Sequence, residues 1–107
     1  MDEIERIQIM EKSLDDLSVA QKNLSVALET IANQQEQLKA LSDYYGSAEF
    51  HHDLSLDEAG KLPANLKRGV LSEDAVYDLL TDFSELAREM HKIADLILKN
   101  TSQDFAQ

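Results

Sequence analysis

The sequence predicts an all-α protein: a long amphipathic helix packed antiparallel on a second helix, a short helical corner between them, and a helical-bundle dimer. Three observations lead there. Residues 2–45 contain neither Gly nor Pro, and their apolar residues recur every seven positions. A second helical period runs over residues 72–99. The proline, Pro63, and two of the three glycines, Gly60 and Gly69, fall between these stretches. Apolar spacing follows 3.5 to 3.6 residues and never 2, which excludes strands.

In the first helix, 2–45, one row is Met10, Leu17, Leu24, Ile31, Leu38 and Tyr45. A second row is Ile7, Leu14, Gln21, Leu28 and Gln35, and Ala20, Ala27 and Leu41 widen the stripe. Asp2, Glu3 and Glu5 suit the positive end of the helix dipole, and Gly46 suits the position just past its end.

The corner, 47–71, is too long for a simple turn and carries the punctuation of two short helices. "SLDEAG" reads as N-cap Ser55, Glu58 three residues on, and terminator Gly60. "LPANLKRG" reads as Pro63 at the first helical position and Gly69 past the last.

The second helix, 72–99, opens on Ser72 as N-cap with Glu73 and Asp74 in the first turn, and Leu71 can staple onto Val76. Val76, Leu80, Phe83, Ala87, Met90, Ala94 and Ile97 form the stripe expected to be buried. Asp82 and Glu85 form a capping pair that could break the helix near 81–84. Lys99 lies in the last turn, Asn100 suits the terminus, and 100–107 reads as a frayed tail.

A chain of 107 residues makes one domain, with a net charge of −11 that repels nucleic acid and anionic membranes. The acidic surface instead suits a basic protein partner. With no cysteine, disulfides, thiolate zinc and cysteine nucleophiles are excluded. "MDEIERIQIM" lacks the regions of a signal peptide, and no apolar run reaches membrane-spanning length. A soluble, cytoplasmic protein is the expectation.

"SDYYGS" (42–47) and "GKLPANLKRGVLSEDAVYDLL" (60–80) carry a further signal. Through them the chain resembles a family of small bacterial proteins, the domain of unknown function 4298, from about the middle of the first helix to residue 90. The family often has a Trp after Tyr-Tyr-Gly-Ser, where Phe50 and His51 stand here. The resemblance implies a small all-helical protein and transfers no catalytic or binding residue.

Several constellations could carry chemistry. His51, His52, Asp53, Asp57 and Glu58 crowd eight positions, and His91 and Asp95 are spaced i, i+4. A metal site needs three or four such groups converging, and neighbouring histidines point apart. No Gly-x-Ser-x-Gly elbow or glycine-rich phosphate loop occurs. No catalytic residue, metal ligand or cofactor is therefore expected.

Asp74, Asp78, Asp82, Glu85 and Glu89 fall within about 80° on an ideal helix, as a run of carboxylates about 23 Å long. They read as a solvated face or as a surface for a basic partner. Lys61, Lys67 and Arg68 read as an anion pocket, or as ion-pair partners of Asp57, Glu58, Glu73 and Asp74 that pin the corner. Tyr45 continues the seven-residue row, whereas Tyr44 can hydrogen-bond the corner or face a partner.

The function these readings favour is a non-enzymatic helical interaction module. The alternative is a small metal binder or enzyme using His51, His52, Asp53 and the Lys67/Arg68 corner. A homodimer is expected from a mismatch of lengths: about 60 Å for the first helix against about 42 Å for the second. A hairpin closed at residue 45 would end its second helix near residue 18. Ile4, Ile7, Met10, Leu14 and Leu17 would then protrude, an apolar patch that monomers rarely expose. Gln21 and Gln35 could fix the register of the pair.

Overall fold

The computed structural model describes residues 2–72 and 74–101. It is all-α among the described residues, with helices α1 (Glu3–Asn33), α2 (Gln35–Tyr44), α3 (Ala48–Glu58) and α4 (Ala75–Thr101). A short 3-10 turn, Gly69–Leu71, precedes α4. The chain divides into two compact units, Met1–Lys39 and Ala40–Gln107.

The first unit is built on α1. Asp2 caps it, with its carboxylate accepting from the Glu5 N–H at 2.8 Å, and Glu3 and Glu5 lie in the first turn as their charge favours. Lys12 and Asp16 form an exposed i, i+4 ion pair at 2.6 Å. The helix expected over 2–45 is interrupted at Gln34 (φ −104°, ψ 10°). The Gln34 N–H donates to the Ile31 carbonyl, three residues back instead of four, at 3.1 Å. The Gln35 side-chain amide donates to the same carbonyl at 3.0 Å, so a side chain competes with the helical ladder there. The ladder resumes with the Leu38 N–H on the Gln34 carbonyl.

The second unit holds the buried residues Phe50, Leu71 and Val76. Gly46 (φ 79°) ends α2 in a left-handed conformation that an L side chain rarely adopts. Ser47 then joins the two helices. Its hydroxyl donates to the Tyr44 carbonyl at 2.7 Å and accepts from the Phe50 N–H at 3.1 Å, so it caps α3. Thus α3 begins well before the expected start at Ser55, whose hydroxyl instead donates to the His52 carbonyl within the helix. Gly60 (φ 70°) ends α3 as expected. The Lys61 N–H reaches the Leu56 carbonyl and the Gly60 N–H the Asp57 carbonyl, the two bonds of a Schellman motif.

The short helix expected to begin at Pro63 and end before Gly69 does not form. Pro63 opens a single turn closed by the Leu66 N–H on its carbonyl, and Gly69 begins the 3-10 turn instead of terminating a helix. One hydrogen-bonded turn lacks the length that makes a helix self-sustaining.

Ser72 caps the start of α4 through the Ala75 N–H at 3.2 Å. The 3-10 turn packs against α4, and Leu71 and Val76 are both buried, as a staple requires. Glu73 and the tail from 102 onward lie outside the described residues. Of the two features read at 81–84 and at Asn100, the first was an open possibility and the second an expected end, and α4 shows neither. The helix is continuous through 81–84, and it runs past Asn100 to Thr101. Its stripe is covered only at the start: Val76 is buried and Leu80 and Phe83 half-buried, but Ala87, Met90, Ala94 and Ile97 are exposed. The burial ends where the 3-10 turn and its neighbours stop covering the helix.

Candidate functional site

The corner is organised by two polar links within the second unit. The Tyr44 hydroxyl donates to Asp53 Oδ2 at 2.7 Å, from the end of α2 to the middle of α3. This bond stabilises the protonated phenol; partial burial and the nearby charges of Asp53 and Glu49 act in the same direction. Together they raise the Tyr44 pKa to about 12. Arg68 makes the other link: its guanidinium donates to Asp57 Oδ1 at 2.5 Å, to the Leu66 carbonyl at 3.3 Å and to the Pro63 carbonyl. One planar cation thereby ties the 63–68 turn to α3, which a single ammonium could not do.

An aromatic cluster underlies these links. The Phe50 ring stands edge-on to Tyr44 at 5.6 Å, to Tyr45 at 5.5 Å and to His51 at 5.5 Å. Phe50 is thus the aromatic centre of the corner, and it is only 7% exposed.

Two concavities flank the cluster. One, of about 280 Å³, has Tyr44, Asp53, Lys67 and Arg68 on its wall, with Leu62, Leu66, Val70 and Leu71 beside them. The other, of about 470 Å³, lies between Tyr45, Phe50, Leu54 and Leu71, with His51 and Glu58 at its edge. Three of the residues singled out from sequence, Tyr44, Lys67 and Arg68, therefore meet at one cleft. Lys61 is exposed and does not line it. Arg68 takes the pinning role rather than the anion-pocket role, because Asp57 and two carbonyls occupy its donors.

The carboxylates expected as a stripe are exposed, with Asp78, Asp82, Glu85 and Glu89 on α4 and Asp74 just ahead of it. Ile4, Ile7, Met10, Leu14 and Leu17 are exposed along α1. Among the described residues no three His, Asp or Glu side chains come together to hold a metal ion. Asp53 and Asp57, from the suspected ligand cluster, instead serve Tyr44 and Arg68. None of the described helices is long and apolar enough to cross a membrane.

Tyr44 hydrogen-bonds the corner, one of the two roles open to it from sequence, but its acceptor Asp53 and the cleft beside Leu62, Leu66 and Val70 were not foreseen. The Gly46-Ser47 pair was the available signal, since a left-handed glycine followed by a capping serine reverses the chain and brings α3 back against the end of α2.

A helical reversal, an aromatic-centred corner and a long α4 together define a small all-helical protein. The family model "Domain of unknown function (DUF4298)" matches residues 7–93, and the chain belongs to that family. The match reaches closer to the N-terminus than the motifs alone indicated, and takes in most of α1. Comparison with curated proteins and with solved structures gives no match.

Proposed function

We propose that the chain is a non-enzymatic helical interaction module that works as a homodimer, with α1 packed antiparallel on α4 and the N-terminal part of α1 paired with a second chain. The observation that carries this reading is the exposed apolar row on α1. Ile4 and Leu17 are each 67% exposed, and Ile7, Met10 and Leu14 lie between them on the same stripe. An isolated helix is marginal in water, and α1 has no second layer within its own unit to stabilise it. Burying each of these side chains contributes up to about 1.5–3 kcal/mol, which works against the entropic cost of association. The exposed stripe of α4, including Leu86, Met90, Ile93 and Ile97, supplies a matching apolar surface.

The carboxylates on the opposite face of α4 remain outward in this arrangement and suit a basic protein partner. The surface gives no comparable support to an enzyme, since Tyr44 is engaged with Asp53 and Arg68 with Asp57.

Amide exchange tests the proposal. Protection over residues 4–17 should rise between about 1 µM and about 50 µM protein if a second chain covers them. Rapid, concentration-independent exchange of this segment across the same range overturns it.

A further inference from the structure

We propose that the second copy covers the N-terminal row of α1 with the same row, parallel and in register, so that Arg6 of each chain meets Glu11 of the other. This rests on the homodimer reading and specifies the orientation and register of the pair.

Ile7, Met10, Leu14 and Leu17 follow one another in steps of three and four residues, and each is more than half exposed. That is the seam of a two-stranded coiled coil, which two further positions per heptad border, one on either side. On one side stand Arg6, Ser13 and Ala20, and on the other Ile4, Glu11 and Ser18. Arg6 and Glu11 are the two charged residues in this border, and their signs are opposite. Both are exposed, and neither forms an ion pair among the described residues. The ion pair that α1 does form, Lys12 with Asp16, lies on the face away from the seam.

Parallel helices bring one border of a chain against the opposite border of its partner, five residues further along. From Arg6 that residue is Glu11, so an in-register pair makes the contact twice. The antiparallel pair that overlaps the whole row sets Ile7 against Leu17 of the second copy and brings like borders together. Glu11 then faces Glu11 of the second copy, and Arg6 faces its Ala20. A parallel pair slipped by one heptad sets Arg6 beside Ile4 or Ser18 instead of an acid. Gln21, the next seam residue, favours the same register, because two facing amides can each donate and accept, whereas the slip sets them against Leu14 and Leu28. Glu3 holds the seam position before Ile7, so the apolar layers begin at Ile7 and Glu3 stays at the wet end of the pair, where its charge is screened.

The absence of cysteine makes a cross-linking test clean. Leu17→Cys protein, checked for helicity and mildly oxidised, should link to itself, since in-register pairing sets the two positions side by side. In the antiparallel pair they lie about 15 Å apart along the axis, beyond the roughly 7 Å between Cα atoms that a disulfide spans. In a mixture of Ile7→Cys and Leu17→Cys proteins each variant should link to itself, and an excess of the mixed product overturns the parallel orientation while leaving the dimer standing. Absence of the Leu17→Cys link, with light scattering still showing a dimer, overturns it also. A monomer by light scattering removes the dimer itself. Charge reversal supplies a second measurement. Arg6→Glu and Glu11→Arg should each weaken association about three- to tenfold, and the two together in one chain should restore it. Additive loss in the double variant overturns the contact.

Discussion

The Tyr44 hydroxyl and the Asp53 carboxylate, nine residues apart, meet at 2.7 Å across the Gly46 reversal. Because Asp53 accepts this proton-mediated bond, the phenol holds its proton well above the usual tyrosine range, to about 12. A folded-state value above the unfolded value of 10.0 means that folding favours the protonated form. The contribution is whole below pH 10, and is lost as pH rises through 10 toward 12. Ultraviolet titration of tyrosinate should therefore show a late component that disappears in Tyr44→Phe and moves to lower pH in Asp53→Asn. An unchanged alkaline titration in both variants contradicts the link.

Arg68 is predicted to be the residue on which order in the 61–68 segment most depends. Arg68→Ala removes its bonds to Asp57, Leu66 and Pro63 and should cost about 1–2 kcal/mol in chemical denaturation. Arg68→Lys should recover little of the loss, because one ammonium cannot span the three acceptors. Amide exchange in the 63–68 turn should quicken in both variants, and full protection in Arg68→Lys would show that charge alone holds the turn.

At the entry to α4, Ser72→Ala should cost about 1 kcal/mol, since the Ala75 N–H loses its acceptor. Leu71→Ala should cost more, about 2–4 kcal/mol, because Leu71 is buried at the junction of the 3-10 turn with α4. Thermal and urea melts rank the two, and the reverse order contradicts the staple.

The acidic stripe is tested by neutralisation. Asp78→Asn, Asp82→Asn and Glu85→Gln together should weaken binding to an oligolysine probe and flatten its dependence on salt, with helicity unchanged. Equal affinity and equal salt slope would make the stripe a solvated face only.

Much of the architecture was legible from residues whose roles are local. Gly46 and Gly60 announce left-handed helix ends, Ser72 announces a cap, and the apolar periods announce the helices on either side of the corner. What was not legible depended on competition or on distance. At Gln34 a run with no Gly or Pro is interrupted where the Gln35 side-chain amide and the Gln34 N–H share the Ile31 carbonyl, and helix propensity carries no trace of that contact. Ser55 and Ser47 both precede plausible helices, and only the glycine before Ser47 distinguishes the true cap. The opposite charges near Arg68 were visible, but its choice of Asp57 follows from the Pro63 turn, which no spacing rule specifies. Most of the candidate cleft arises in the same way, from Leu62 and Leu66 around the Pro63 turn and Val70 in the 3-10 turn.

Whether a second copy covers the exposed row on α1 is tested most directly by the mass in solution. Size-exclusion chromatography with light scattering, at tens of micromolar protein, should give about twice the chain mass of 12.1 kDa. Leu14→Asp, which places a charge in the middle of the exposed row, should reduce it to one chain or abolish folding with association. A wild-type mass of 12.1 kDa under those conditions would contradict the account.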